Sequence, residues 1–580
     1  MSSSSDVPIK GLLSATAAAA AAASIALIQK RRTPVYASAA ASSSSAAASL
    51  SSSTSDAAAA RSGAASANGI AGSNGVLHAN GAAHSHAHAH HHHRVGLPAE
   101  KEYELFPIDY SMHVQHRETL VRRFLAAHPE AKTNASAIVL HGGSEVDRYD
   151  TDTQYAFRQE SFFQYLFGVR EPDCAAMIDL TTGQSVLFVP RLSAEWELWC
   201  GERKPPTYFR SHYKVDAVHF VDELKDVLQS NYGVEKLYVL KGRNNDSNLE
   251  TVTTSTFDGI DEFTVDKAAL HPVLVACRLI KSEKELELLR FVCLLSSNAH
   301  IEVMKTIRPG QMEFHAESAF LHYCYSYGGA RLHAYTCICG SGHNASALHY
   351  GHAGAPNDKK LEDGDIFLND MGAELHGYAS DITCTFPVNG KFSADQKMIY
   401  EGVLKAHDAV MAAIQPGVSY VEMHLLSHRV LTQHLLEHGL FQNGTVDELM
   451  DHEISAYFYP HGLGHLLGLD VHDVGGFPIG HKRSTKKILQ KLRCVLTLEK
   501  NMVLTVEPGC YFIEAQINEL LASPEKAKFV NQEMLQRFRG SGGVRIESDV
   551  IVTANGAENM TKVPRTVAEI EKLMHSKRWA

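Results

Sequence analysis

Several features that would assign a chain to a specialised class are missing from this sequence. Its 580 residues carry a formal net charge of −11, and lysine and arginine do not cluster beyond short runs such as Lys30-Arg31-Arg32. No basic field that attracts nucleic acid is therefore expected. The ten cysteines form no CxxC pair and no small-scaffold spacing. This scatter indicates reduced, partly buried thiols in an intracellular protein rather than a disulfide framework.

A long run of large apolar residues is also absent. The nearest approach is GLLSATAAAAAAASIALIQKRR, near the start of the chain, which consists mostly of alanine. Alanine is only marginally apolar, so we expect no stable membrane insertion. The few acids, the Ser/Ala richness and the arginine pair are typical of a plastid or mitochondrial transit peptide. A weak membrane anchor and an untargeted tail are the alternatives, so the compartment is predicted as intracellular, either cytoplasmic or organellar.

Residues 1–98 contain little that could build a core. They are mostly alanine, serine and glycine, and such a segment buries too little apolar surface to offset the entropy of ordering. We predict a disordered tail. Its tract HSHAHAHHHH, His84 to His93, could bind transition metals through exposed imidazoles, but a flexible tract with adventitious metal affinity is the favoured interpretation.

The remainder has an ordinary globular composition and divides into two predicted domains. Residues 99–275 alternate short helices with strands such as those in ASAIVLHGG and QSVLFVP, which end in glycine or proline, and this pattern indicates a smaller α/β domain. Residues 276–580 open with a long amphipathic helix and continue as helix pairs alternating with β-hairpins, an α+β pattern. One predicted helix starts with the capping box Ser393–Gln396. The repeated order of helices and strands suggests a duplicated unit, although no residue-level repeat is visible.

Acidic residues in the second domain interrupt segments that otherwise read as buried strands. They are Asp370 and Asp381 in IFLNDMGAELHGYASDITCTF, Glu507 in MVLTVEPGCYF, and Glu547 in GGVRIESDVIVT. Taken singly, each acid could face solvent or pair with a basic residue. Four buried carboxylates close together, however, require cations to neutralise them. Two divalent ions would supply four positive charges, and such pairs form a hydrolytic device when about 3.5–4 Å apart.

A histidine-rich segment, PHGLGHLLGLDVHDVGG, accompanies these acids. His461 and His465 have the spacing of metal ligands on a helix, but the glycines between them argue against a helix. Oxygen-rich ligation with one or two imidazoles favours Mn²⁺, Mg²⁺ or Co²⁺ over a structural zinc site. Glu374 and His376, between the two aspartates, are expected to face solvent.

The ordered motifs ASDIT, HGLGH, DVHDVGG, TVEPG and GGVRIE resemble the pita-bread-fold metallopeptidases, the group of methionine aminopeptidase, aminopeptidase P and prolidase. RQESFFQYLFGVREPD, YTCICGSG and QRFRGSGGVRIE are most similar to the eukaryotic prolidases, which are Xaa-Pro dipeptidases. The resemblance covers about residues 100 to 575. It implies a pita-bread catalytic domain preceded by an aminopeptidase P-like domain, two Mn²⁺ ions in each subunit, and a homodimer.

The resemblance also implies five metal ligands. Asp370 would bind one ion, Asp381 and Glu547 would bridge both, and His465 and Glu507 would bind the other. As catalytic groups it implies Glu507, His349 and His472, with Glu507 moving a proton to the leaving nitrogen and the histidines donating to the scissile carbonyl. The residues expected to bind substrate are Arg545, Arg493, His461, Tyr335 and Trp199.

Hydrolysis of Xaa-Pro dipeptides with release of proline is the function favoured by this resemblance. Arginine suits recognition of the free carboxylate of a dipeptide, because its planar fork matches a carboxylate. An aminopeptidase P that removes the first residue from longer Xaa-Pro peptides is the nearest alternative. A non-catalytic binding protein on the same fold is a third, disfavoured by the complete ligand set.

Overall fold

A computed structural model describes residues 105–478 and 480–576. The chain divides into two units, Met1–Ala89 and His90–Ala580, and the described residues all belong to the second. The predicted disordered tail, the targeting segment and the histidine tract lie outside the described residues. Within the described ranges, no helix is both long enough and apolar enough to cross a membrane.

A six-stranded mixed sheet forms the first half of the described chain. Its strands are β1 Ser136–His141, β2 Ala175–Asp179, β3 Ser185–Val189, β4 Ala217–Phe220, β5 Lys236–Val239 and β6 Thr264–Asp266. Their order across the sheet is β4-β3-β2-β1-β5-β6, and β1 pairs antiparallel with β2 and parallel with β5. Alternate residues enter two different cores: Ile138 and Leu140 of β1 pack into the main core, whereas Ala137 and Val139 pack on the other face. Both faces of the central strand are therefore covered, which explains its continuous apolar sequence.

Two pairs of packed helices, each followed by strands, form the second half. The first pair is Glu283–Thr306 with Phe314–Gly328, and the second is Ala394–Ala413 with Tyr420–Glu437. Their order agrees with the predicted alternation of helices and hairpins. The Ser393 side chain accepts from the Gln396 amide, as the capping box predicts. The acidic residues singled out by the sequence lie at the ends of the strands that follow each pair or beside them.

The strands are labelled in chain order. The strands that follow the six-stranded sheet are β7 Leu332–His333, β8 Ile338–Ser341, β9 Ile366–Asp370, β10 Ala373–Leu375, β11 Tyr378–Ala379, β12 Thr383–Pro387, β13 Val503–Val506, β14 Gly509–Tyr511, β15 Gly543–Arg545, β16 Ser548–Thr553 and β17 Gly556–Asn559.

The remaining α-helices are shorter on average than the two packed pairs. Their bounds are Ser111–Ala127, Ser161–Phe167, Ala194–Cys200, Pro206–Tyr213, Leu224–Asp226, Leu270–Leu279, Val446–Asp451, Glu514–Leu521, Pro524–Ala527, Gln532–Gln536 and Val567–His575. Short helical turns of other types are Pro129–Lys132, Val221–Glu223, Val227–Asn231, Ile260–Glu262, Gly342–Ser346 and Ile454–Tyr457.

The predicted acid-bearing hairpin forms, with two differences from the expectation. β9 and β12 pair antiparallel, with Asp370 opposite Thr383, but the segment between them is a second small hairpin, β10 with β11. The prediction that Glu374 faces solvent is wrong: its side chain is 5% exposed and lies 2.7 Å from Arg158 Nε of the first half. Burial beside a cation from a distant segment could not be read from local polarity. His376 is only partly exposed.

All ten cysteines are free, and nine of them are buried, which agrees with the expected reduced thiols. Burial raises the pKa of several of these thiols; that of Cys510, for example, rises to about 12. They are therefore small core residues in their protonated form.

Candidate active site

Backbone hydrogen bonds bring the five predicted ligand residues to one place. The amide of Glu507 donates to the Leu463 carbonyl at 2.8 Å, and the amide of Thr505 donates to His465 at 2.9 Å. The histidine segment therefore runs beside β13. On the other side, the amide of Glu547 donates to the Thr383 carbonyl at 3.2 Å, which joins β12 to the start of β16.

The four carboxylates occupy strand ends and breaks rather than strand interiors. Asp370 is the last residue of β9, Asp381 lies just before β12, Glu507 follows β13, and Glu547 separates β15 from β16. At such positions a side chain can turn out of the regular alternation while the flanking backbone stays paired. The expectation that Glu547 lies inside one continuous strand is corrected here, because the strand is broken at this residue.

Short distances join these side chains. The Tyr335 hydroxyl lies 2.5 Å from Asp370 Oδ1 and 2.6 Å from Asp381 Oδ1. His465 Nε2 lies 3.2 Å from Asp381 Oδ2 and 3.7 Å from Glu507 Oε1. Ligand atoms of Asp381, His465 and Glu547 all lie within 4.8 Å of one another. This density of donors is typical of a metal centre.

Without bound cations, burial and mutual repulsion disfavour the ionised form of these carboxyl groups. Burial, together with the charge of Asp370, raises the pKa of Asp381 well above its usual range. Burial also raises the pKa of Glu547 strongly and that of Glu507 to about 7. Arg545 is a cation inside the cluster, 2.6 Å from Asp370 Oδ2. One guanidinium leaves three negative charges uncompensated when all four carboxyls ionise.

The donor set fits two divalent cations, because they would supply the missing positive charge and accept oxygen and imidazole ligands. Asp370, Asp381, His465, Glu507 and Glu547 are the residues that would hold them. The imidazole of His465 is oriented by its Nδ1, which lies 3.0 Å from the Leu466 carbonyl oxygen. With Nδ1 protonated, Nε2 presents its lone pair toward Asp381 and Glu507, the arrangement common in histidine ligands.

Glycine is required at two positions around the centre. A Cβ on Gly464, in the HGLGH motif, would lie 2.2 Å from the Thr505 carbonyl oxygen. A Cβ on Gly372, just after Asp370, would lie 1.8 Å from the Ser380 carbonyl oxygen. Both backbones thus approach a neighbouring segment more closely than any side chain allows. These contacts explain why glycines flank the ligand positions in both motifs.

A cavity of about 370 Å³ opens onto the carboxylates. The predicted substrate-site histidines His349, His461 and His472 line it, as do Arg493 and Arg545. Burial lowers the pKa of His461 to about 3 and that of His472 to about 2. Both imidazoles are therefore neutral near pH 7, so each presents one N–H donor and one lone pair.

The two predicted carboxylate-binding arginines have different surroundings. All three guanidinium nitrogens of Arg545 donate to protein groups, those of Thr383, Tyr511 and Asp370. Arg493 is one-third exposed, and only its Nη1 is engaged, at 2.6 Å from Asp246 Oδ2 and 3.0 Å from His472 Nδ1. Within the described ranges its Nε and Nη2 have no hydrogen-bond partner, so this edge suits a ligand carboxylate.

Trp199 does not join the cavity. It lies on the helix Ala194–Cys200, is 76% exposed, and is not among the lining residues. Its assignment to substrate binding remains a prediction. The Tyr335 hydroxyl contacts Asp370 and Asp381, but Tyr335 is not among the residues that line the cavity.

Several residues that support the centre were not predicted from the sequence. Thr383 donates to Glu547 Oε2 at 2.6 Å, and Asp549 accepts from the Asp381 amide at 3.0 Å. Tyr511 and Asp246 hold the two arginines. Thr383 and Asp549 each lie two residues after a predicted ligand, and this spacing could have identified them from the sequence. Asp246 comes from a distant segment, and no local pattern in the sequence links it to the site.

Two sequence families match this chain. The family described as Metallopeptidase family M24 matches residues 287–554. The family described as Aminopeptidase P, N-terminal domain matches residues 113–238. The first match includes all five predicted metal ligands. The second covers most of the six-stranded sheet.

Relatives and solved structures agree with these matches. The Xaa-Pro dipeptidase of Homo sapiens is 50% identical over 471 residues, which is 81% of this chain and 94% of the relative. The Xaa-Pro dipeptidase of Rattus norvegicus is 52% identical over 439 residues, covering 76% and 89% respectively. The structure of Pseudomonas aeruginosa aminopeptidase PepP has a TM-score of 0.65 and 34% identity, covering 81% of this chain and 99% of the bacterial one.

Proposed function

This chain belongs to metallopeptidase family M24, and from that premise we propose that it is an Xaa-Pro dipeptidase that releases free proline. The main support for this proposal is that one cavity is lined by all five predicted ligands, Asp370, Asp381, His465, Glu507 and Glu547. The chain is also 50% identical to a dipeptidase. The aminopeptidase alternative has weaker support, because the aminopeptidase structure is 34% identical. A complete ligand set argues against a non-catalytic binding protein.

We propose two divalent ions at this centre, with Mn²⁺ as the favoured metal. Four carboxylates and one imidazole form an oxygen-rich set, and no cysteine contributes, so a hard or borderline cation is preferred. When bound, such ions lower the pKa of water and polarise a carbonyl oxygen. Thr383 and Arg545 hold two of the ligands, Glu547 and Asp370, in fixed positions, which limits reorganisation during the reaction.

The chain's own groups suit the proton transfers of peptide hydrolysis. Glu507 faces the cavity, with Oε2 3.7 Å from His461 Nδ1. We assign it the proton that passes to the departing proline nitrogen. His349 and His472 line the same cavity, and their N–H groups are available to donate to the carbonyl oxygen as negative charge develops.

Recognition of a dipeptide requires a cation near the far end of the cavity. The unpaired Nε–Nη2 edge of Arg493 supports this role, because it can bind a carboxylate through two parallel hydrogen bonds. Asp246 holds the opposite side of the guanidinium and is itself 2.9 Å from Arg483 Nη2. We propose that Arg493 binds the substrate's C-terminal carboxylate. Arg545, each of whose three guanidinium nitrogens already donates to a protein group, remains a second proposal.

Hydrolysis of Gly-Pro, compared with a longer peptide that starts Gly-Pro, tests the proposal. We expect the Mn²⁺-loaded chain to release proline from the dipeptide with much the higher kcat/KM. A C-terminally amidated Gly-Pro is the matched control, because it keeps the scissile bond and removes the carboxylate. Cleavage of the longer peptide alone would establish the aminopeptidase instead. No hydrolysis of any peptide, with two bound metals verified by elemental analysis, would favour a binding protein.

The family membership of the chain also supports inferences about its oligomeric state and its cellular compartment. We infer a homodimer, to which the exposed Leu198 and Trp199 would contribute contact surface. Analytical ultracentrifugation of wild type and Trp199→Ala tests this inference. The free cysteines support an intracellular, reducing compartment, and sequencing of the mature N-terminus would distinguish a cytoplasmic from an organellar protein.

A further inference from the structure

A second group of metal-ligating side chains lies at the C-terminal end of the helix Tyr420–Glu437. It consists of His434, Glu437 and the capping residue His438. One ligand atom from each lies within 4.8 Å of the other two. None of the three lines the cavity of the candidate active site. The group is therefore separate from the centre described above.

The imidazoles of this group are held so that each presents a lone pair. His434 Nε2 lies 2.8 Å from the Met398 carbonyl oxygen, and His438 Nδ1 lies 2.8 Å from the His434 carbonyl oxygen. A carbonyl only accepts, so these nitrogens carry the protons. In the neutral form of each ring, the lone pair therefore lies on His434 Nδ1 and on His438 Nε2. A backbone carbonyl behind each ring is the arrangement usual for histidine metal ligands.

Charge and space at this position also suit a cation. The ammonium of Lys405 lies 3.1 Å from His434 Nδ1, so it occupies the lone pair of that nitrogen and must move away before an ion binds. Lys405 is exposed and can move into solvent. The last turn of a helix carries partial negative charge. A cavity of about 430 Å³ leaves room beside His434 and Glu437 for the water ligands of an ion, and its other charged lining residues are Lys405 and the exposed Arg429.

The titration state of His434 is favourable near neutral pH. Burial lowers the pKa of His434 below its ordinary value, so the ring is neutral where most metal-binding measurements are made. Glu437 is exposed and accepts a hydrogen bond from Gln433 at 2.7 Å. That contact is weak enough to be exchanged for a metal ligand, because it joins two solvated side chains.

We propose that His434, Glu437 and His438 form a binding site for a borderline divalent transition metal of the Zn²⁺ class, distinct from the dinuclear centre. Two imidazoles and one carboxylate, with a remaining position for water, match the ligands that Zn²⁺ prefers. The i, i+4 spacing of the histidines places both on one face of the helix end. Lys405 competes for His434 and is displaced when the ion binds.

Zn²⁺ titration of the full chain, preloaded with Mn²⁺, tests the proposal by calorimetry. We expect His438→Gln to bind one Zn²⁺ fewer per chain than wild type. Glu437→Gln is expected to weaken this site by about 10–100-fold, the loss seen when even a supporting partner of a metal ligand is removed. Lys405→Met is expected to strengthen it by about tenfold, because a repelling charge leaves. His322→Gln, at another exposed helical histidine, is the matched control and should behave as wild type.

A residue-specific readout separates this site from all other histidines of the chain. Modification of His438 by diethyl pyrocarbonate, followed by mass spectrometry, should be blocked by Zn²⁺ in wild type and in His322→Gln. Equal Zn²⁺ stoichiometry in all the variants, or undiminished modification of His438 at saturating Zn²⁺, would overturn the site. Neither readout depends on peptide hydrolysis, so its failure is distinguishable from failure of the proposed dipeptidase activity.

Discussion

Replacing Asp381 with asparagine should change the metal-loaded and the metal-free protein in opposite directions. Asp381 Oδ2 faces His465 Nε2 at 3.2 Å, and its Oδ1 shares the Tyr335 hydroxyl with Asp370. In the loaded protein its charge would attract both ions. In the metal-free protein the same charge repels Asp370, and this repulsion and burial raise the pKa of Asp381.

The size of each effect follows from this geometry. A unit charge pair 4 Å apart is worth about 4 kcal/mol at an effective dielectric constant of 20. Loss of the Asp381 charge should therefore weaken metal binding by about 1,000-fold or more. The metal-free variant should gain only about 1–2 kcal/mol in free energy of unfolding, because the raised pKa already leaves much of the wild-type carboxyl protonated.

Calorimetric unfolding with chelator and with Mn²⁺, together with elemental analysis, measures both effects. Asp150→Asn, at an exposed aspartate, is the control and should alter neither. The variant should unfold at a higher temperature than wild type in chelator and at a lower temperature in Mn²⁺, with activity lost. Two bound metals and normal turnover in Asp381→Asn would refute the ligand assignment. A metal-free variant less stable than wild type would refute the electrostatic reasoning.

Three further predictions concern the substrate-binding arginine, the buried acids of the centre and one buried ion pair. Arg493→Ala should reduce kcat/KM for Gly-Pro by about 10–100-fold, a loss of 1.4–2.8 kcal/mol, and leave amidated Gly-Pro unchanged; equal losses on both would remove Arg493 from carboxylate recognition. Burial raises the pKa of Glu507 from 4.5 to about 7 and that of Asp549 from 3.8 to about 8. Their contribution to the stability of the chelated protein is therefore complete below about pH 4 and lost as pH rises through 7–8. Denaturant unfolding across this range should record that fall, whereas Mn²⁺ should abolish it. Glu374→Gln should lower the free energy of unfolding by about 1–2 kcal/mol, since Arg158 is partly exposed and its ion pair is partly screened; an unchanged midpoint would contradict a role for this pair.

The fold was predictable where local chemistry and periodicity agree. Ser393 and Gln396 begin a helix because their side chains satisfy exposed amides, wherever the helix later packs. β1 was recognisable from SAIVLH, since both of its faces enter cores. Such elements depend on neighbours in sequence. Their bounds therefore follow from the sequence more directly than any contact between distant segments does.

A candidate metal centre was predictable from residue types and motif order alone. Buried carboxylates at Asp370, Asp381, Glu507 and Glu547 need cations whatever their arrangement, because water and charge compensation are unavailable in a core. Their motifs also determined the family. These inferences rest on residue type and order, which the linear chain carries in full.

The partners of each side chain become known from the folded structure alone. Glu374 is buried because Arg158, 216 residues away, reaches it. Arg545 is engaged on all three nitrogens, whereas among the residues that the structure describes Arg493 is engaged only at Nη1, by Asp246 and His472. Burial and pairing arise between segments distant in sequence. No local pattern records them, and they determine which charges are compensated and which remain available to a substrate.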